Sequence, residues 1–180
     1  MKKVFLLVIA ITGWLLAVHQ PLAAQEEIIA NKLFYTELGG PGVIMSANFD
    51  ARFKTGERLG FGYRLGIGFG YNDGRSYYSI NDEYSSRTYY SFPLGLNYVF
   101  GKPNSAHTFD VGAGITILTR KVALFYYERT EPGHVIMPLT FMYRLMPVNG
   151  GFSFRVGLTP IIGTGGDLFP MGAVGFGYAF

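Results

Sequence analysis

Gly172-Ala-Val-Gly-Phe-Gly-Tyr-Ala-Phe180 alternates with a period of two: Val174, Phe176, Tyr178 and Phe180 point one way, Gly175, Gly177 and Ala179 the other. Large apolar groups on one face and almost nothing on the other fit a strand that separates lipid from a tightly filled interior. A closed wall of such strands leaves no backbone unpaired in hydrocarbon, so the stretch predicts a transmembrane β-barrel.

The same parity recurs upstream. Residues 43–53 set Val43, Met45, Ala47, Phe49, Ala51 and Phe53 on one face, with Ile44, Ser46, Asn48, Asp50 and Arg52 on the other. In 59–71 every odd position is apolar or aromatic and the even ones are glycine except Arg64. A helix carrying that many glycines would not persist, since each costs about 1 kcal/mol against alanine. Segments 90–100, 108–118, 135–146 and 152–163 repeat the alternation, and 32–39 carries it most weakly. With 172–180 these make eight strands. Pro93, Pro138 and Pro160 fall inside three of them and are expected at bulges or strand starts, because proline cannot donate to a ladder.

The connections alternate too. Residues 54–58, 101–106 and 147–151 are short and rich in Gly, Pro, Asn or charge, as periplasmic turns are, while 72–89 and 120–134 are long enough for surface loops. Residues 39–42 and 163–169 form short loops on that second side. The expected fold is all-β: an eight-stranded antiparallel up-and-down transmembrane β-barrel with both termini in the periplasm.

Ahead of it stands a segment with the form of a secretory signal. Lys2 and Lys3 precede an apolar run from Val4 to Val18, and Ala23-Ala24 offers the small residues a peptidase needs. That run is too short to span a bilayer, which takes about 20 residues. Cleavage after Ala24 makes 1–24 a signal peptide and 25–180 the barrel domain, located in the outer membrane. Losing Lys2 and Lys3 lowers the 15 Lys and Arg to 13, against 12 acids, so the basic balance belongs mostly to the leader and nucleic acid is not an expected partner. There is no cysteine, hence no disulfide, thiolate metal site or lipidated cysteine.

Three stretches, Phe92-Pro-Leu-Gly-Leu-Asn-Tyr-Val-Phe-Gly-Lys102, Gly151-Phe-Ser-Phe-Arg-Val-Gly-Leu-Thr-Pro160 and Phe176-Gly-Tyr-Ala-Phe180, resemble the small eight-stranded outer-membrane barrels of Gram-negative bacteria, the OmpA/OmpX-like group. The resemblance covers 31–180. It implies that Phe176, Tyr178 and Phe180 form the signal by which such barrels are handed to the outer-membrane assembly machinery. Outer-membrane lipid and lipopolysaccharide are then the surroundings, and the barrel is a monomer. With no periplasmic peptidoglycan-binding domain after Phe180, the anchoring role of larger relatives is not carried over.

Parity puts Glu37, Asp50, Arg52, Arg64, Asp110, Arg144 and Arg155 in the lumen, among Ser46, Asn48, Asn97 and Thr140. Unpaired ions in a closed interior would each cost several kcal/mol, so arginine forks should bridge the strands and the lumen should be a salt-bridged plug. The rival is a narrow pore for anions or small solutes. In the long loops, Tyr77, Tyr78, Tyr84, Tyr126 and Tyr127 are candidates for surface binding, since tyrosine offers contact area at low entropic cost. An aromatic girdle at the strand tops is the alternative reading of those tyrosines, together with Tyr89 and Tyr90. A lipid-modifying barrel enzyme would need a histidine near a nucleophile. Only His107 and His134 follow the leader, and neither has a serine and acid at enforcing spacing, so no enzyme activity, cofactor or metal is expected. The expected role is structural, or adhesion and binding through the loops.

Overall fold

The computed structural model describes residues 29–72, 87–122 and 133–180. Ten β-segments run in chain order: β1 Lys32–Gly39, β2 Met45–Arg52, β3 Gly60–Asn72, β4 Arg87–Gly101, β5 His107–Val122, β6 Gly133–Leu145, β7 Gly151–Leu158, β8 Ile161–Ile162, β9 Leu168–Phe169 and β10 Gly172–Ala179. β8 continues β7 beyond Thr159-Pro160, and β9 leads into β10 across Pro170-Met171. Leu139 N donates to Pro160 O at 2.8 Å and Thr159 N to Met171 O, so the ladders cross both breaks without losing register. The result is a closed antiparallel barrel of eight staves, each paired to its neighbour in sequence, with the last paired to the first. Lys32 and Phe180 exchange both backbone hydrogen bonds at 3.0 Å, sewing the two ends of the barrel chain together.

The stagger follows from the register. Phe100 pairs with Phe109, then in turn come Tyr143, Val156, Val174, Leu38, Met45, Phe69 and finally Tyr90. One circuit therefore returns to β4 ten residues from its start. For eight strands that shear gives a tilt of about 40° and an interior just wide enough for side chains.

The outside is apolar all round. Phe34, Phe61, Leu65, Ile67, Leu96, Phe109, Ile115, Phe141, Leu158 and Phe176 stand exposed on seven of the eight staves, and Met45, Ala47 and Phe49 of β2 are half-buried on the same face. Ring contacts gather towards one end, the end of the short turns: Phe53 with Tyr63, Phe61 with Tyr98, Phe100 with Phe109, Phe109 with Tyr143 and Phe152 with Phe176 have centroids 4.8–6.3 Å apart.

Several expectations need correction. The 39–42 connection is not a surface loop. Gly39 (φ 73°) and Gly40 (φ 69°) adopt left-handed backbone that turns the chain inward, and Gly40–Gly42 form a buried 3-10 turn. Val43 follows at φ 75°, ψ −70°, a strained γ-turn geometry for a β-branched residue. This reverses the expected parity there, with Val43 buried and Ile44 exposed. Pro93 and Pro138 are not bulges. Each sits inside a strand, paired to Thr116 and Ile161 respectively, and the ladder on the other side resumes in the same register after a short gap. The register shift lies elsewhere, between Ile117 and Val122 of β5. Tyr89 lies in β4 rather than in the 72–89 loop and faces inward, while Tyr90 stands outward in β4, as its parity predicts.

The barrel lumen as candidate functional site

Inward side chains come from odd positions of β1, β4, β7 and β10 and even positions of β2, β3, β5 and β6. They fill the lumen in three levels.

At the short-turn end Ala30, Leu33, Tyr35, Met146 and Ala179 form an apolar cluster, with Ala30 N bonded to Val148 O at 2.8 Å. Arg58, from the turn before β3, folds beneath it. Its guanidinium donates to Pro103 O (3.2 Å), to Ser105 O (2.5 Å) and to Met146 O, tying three turns together. Burial, with a smaller push from the Arg144 charge, holds Arg58 below the usual guanidinium range.

The middle level is ionic. Asp50 accepts from Arg52, from Arg144 Nη1 and Nη2 at 3.1 Å each, and from Asn97 Nδ2 at 2.5 Å. Asp110 Oδ2 accepts Arg144 Nε at 3.1 Å and Nη2 at 2.7 Å, with Arg155 Nη2 3.3 Å away. Arg52 also reaches Gly60 O and Asn97 Oδ1, both at 2.9 Å. Arg155 stacks over the Tyr35 ring at 4.3 Å and lies 3.9 Å from Glu37. All of these side chains are buried. Charge-assisted bonds among such buried side chains offset the desolvation that each ion suffers.

Glycines make the room. A methyl group added at Gly62 would strike the Arg52 guanidinium, and one at Gly66 would meet Asn48 and come within 2.9 Å of Pro93 Cγ. Gly62 and Gly66 are therefore small because the Arg52 and Asn48 side chains lie across them.

The level at the other end is the inward 3-10 turn. Thr116 Oγ1 donates to Pro41 O at 2.8 Å and Ser91 Oγ to Gly42 O at 3.0 Å. Val43 packs with Tyr89, Leu118, Ile136 and Ile161, and Phe169 and Met171 close around them.

Asp50, Arg52, Asp110, Arg144 and Arg155 thus meet in one network, with Glu37 at its edge. Arg64 is buried but bonds to none of them. Arg58 and the 3-10 turn were not anticipated: a turn arginine reads as surface charge, and nothing in Gly39-Gly-Pro-Gly42 says which way the turn points. Tyr35 was overlooked although its odd position in β1 puts it inside. Phe176, Tyr178 and Phe180 face outward and are exposed. Tyr77, Tyr78, Tyr84, Tyr126 and Tyr127 lie outside the described residues, as does the 1–24 leader. His107 Nδ1 is 2.6 Å from Tyr143 Oη, and His134 Nδ1 is 3.0 Å from Leu118 O. Among the described residues no three His, Cys, Asp or Glu side chains are grouped as a metal ion would need.

Comparison with protein-family models and with curated proteins finds no match. Among solved structures the chain is similar to the crystal structure of the N-terminal β-barrel domain of Pseudomonas aeruginosa OprF, with a TM-score of 0.52 and 13% identity, over 84% of this chain and 99% of that one. At that identity the likeness is one of fold.

Proposed function

We propose that the chain is an integral outer-membrane barrel that does not conduct and that serves as a rigid base for its surface loops, through which it binds partners outside the cell. One observation carries this reading: an apolar outer wall surrounds a lumen filled at three successive levels, by an apolar cluster, an ion-pair network and an inward turn. A soluble protein rarely exposes so continuous an apolar surface, and lipid is the solvent that accepts it. The aromatic contacts at the short-turn end suit a headgroup boundary, which makes that end periplasmic and the end carrying residues 73–86 and 123–132 the outer one.

In this reading the protein is exported through a cleaved leader, inserted by the outer-membrane assembly machinery acting on Phe176, Tyr178 and Phe180, and stands as a monomer among lipid and lipopolysaccharide. The lumen arginines hold the wall together rather than select anions, and no catalytic step is assigned to the barrel. Tyr77, Tyr78, Tyr84, Tyr126 and Tyr127 are the binding candidates.

Two measurements test it. Purified protein reconstituted in planar bilayers should show no steady conductance; a steady current altered by neutralising Arg144 would replace the plug with a pore. Cells expressing a barrel with 75–86 replaced by a short Gly-Ser turn should lose adhesion to host material or to one another while keeping the protein in the outer membrane. Unchanged adhesion would remove the binding role.

A further inference from the structure

We propose that the lumen binds one small monovalent anion, of the size of chloride or bromide, at Arg64 and Arg155. Among the described residues the ion level of the lumen carries four guanidiniums, Arg52, Arg64, Arg144 and Arg155, against three carboxylates, Glu37, Asp50 and Asp110. Arg52 and Arg144 are matched by Asp50 and Asp110 at short range. That leaves Glu37 as the one remaining carboxylate for two arginines, so one positive charge stands in excess.

The bonding pattern puts the excess in one place. Among the described residues Arg64, only 3% exposed, forms no ion pair, and its Nε and Nη1 have no hydrogen-bond partner. Arg155 is fully buried, and its Nε, Nη1 and Nη2 likewise lack hydrogen-bond partners, its carboxylate contacts being the 3.3 Å and 3.9 Å approaches of Asp110 and Glu37. Two neutral hydroxyls at the same level, Tyr35 Oη and Thr140 Oγ1, are also unpartnered. Asp50, which faces Arg64 across the β2–β3 ladder, is already taken by Arg52 and Arg144, and Arg155 stacks over the Tyr35 ring at 4.3 Å. Both Glu37 carboxylate oxygens, Asp110 Oδ1 and Asn48 Oδ1 are unpartnered as well, and however these acceptors are shared one guanidinium charge is left over.

Guanidinium cannot escape by losing its proton, and a buried ion without a counter-charge costs several kcal/mol. A water molecule could take hydrogen bonds from Arg64 but would leave the charge uncompensated. An anion does both. It must be small, because an eight-stranded barrel has room for little beyond its own side chains. Both ends of the lumen are closed by apolar clusters, so the ion is captured as the barrel folds and exchanges slowly afterwards. None of this depends on a surface-binding role, and adhesion and conductance assays do not bear on it.

The test is to refold the full barrel in detergent in sodium bromide, exchange it into sodium gluconate, crystallise it, and collect anomalous diffraction at the bromine edge. An anomalous peak within hydrogen-bond distance of Arg64 and Arg155 that survives the exchange is the expected result. No peak there, or bromide only on the outer surface, overturns the proposal. In parallel, protein refolded in chloride should melt several degrees above protein refolded in gluconate at equal ionic strength, and Arg64→Gln should abolish that difference. A halide effect that persists in Arg64→Gln also overturns it. If that variant does not refold, the bromide position in the unaltered protein decides alone.

Discussion

At Arg144 one guanidinium serves two carboxylates that belong to strands on different sides of the lumen, Asp50 on β2 and Asp110 on β5, using Nε, Nη1 and Nη2 at 2.7–3.1 Å. The planar fork is what allows this, and a lysine in its place could reach both only as a point charge. Replacing Arg144 with methionine keeps most of the volume but leaves Asp50 to Arg52 and Asp110 to Arg155, so both buried carboxylates lose the charge-assisted hydrogen bonds of the shared fork. We expect a loss of about 3–5 kcal/mol, the range for breaking a buried pair by removing one member. The urea midpoint of the refolded barrel in micelles measures it. Lys54→Ala is the control, because the Lys54–Glu57 pair at 3.2 Å is exposed on both sides and should leave the midpoint unmoved. Equal effects of the two substitutions would mean the lumen network contributes nothing beyond surface pairing.

The β1–β2 connection shows how far the alternation could be read. Strand existence and inward or outward facing follow from period two wherever the backbone is extended, which is why Asp50, Arg64 and Arg144 could be assigned to the interior from parity alone. Parity fails at Val43 and Ile44 because three positive-φ positions within five residues, Gly39, Gly40 and Val43, rotate the chain, and no hydrophobic count records a rotation. Pro93 and Pro138 misled for a different reason. The missing donor interrupts pairing on one side only, so the strand tolerates the proline and the register survives. Pairing partners within the network were beyond reach as well, since they depend on the ten-residue stagger that only the closed barrel defines. The strain at Val43, about 1–3 kcal/mol for such a backbone, must be outweighed by what holds the turn in place. Thr116 and Ser91 supply two hydrogen bonds to its carbonyls, worth about 1 kcal/mol each. In the double variant Thr116→Val, Ser91→Ala, hydrogen exchange should quicken at the amides of Gly39 and Val43, which bond to Ile44 O and Gly40 O at 2.8 and 2.9 Å. Amides in the β4–β5 ladder should keep their protection. Unchanged exchange at 39 and 43 would leave the turn held by the packing of Val43 alone.

For the molecule as a whole, the stretch from Phe176 to Phe180 has two separable tasks. In the folded barrel it is half of the closing seam: its backbone pairs with β1, Phe180 and Lys32 exchanging bonds, while its aromatic side chains lie outward and exposed. The backbone half of that work survives truncation of a side chain, and the Phe180 ring lies beside Phe49 at a centroid distance of 6.5 Å. Phe180→Ala should therefore refold in detergent to the same secondary structure, with a stability loss of no more than about 1–3 kcal/mol from the lost apolar contact. If the outward aromatics are also read by the assembly machinery, the same substitution should sharply reduce the amount inserted in the outer membrane of living cells, with unassembled chain accumulating in the periplasm. Membrane fractionation alongside urea titration of the refolded protein separates the two tasks. A parallel loss in both measurements would make the terminal aromatics a matter of stability alone, whereas a large loss in cells with a near-normal midpoint in micelles would assign them a second role as a recognition element.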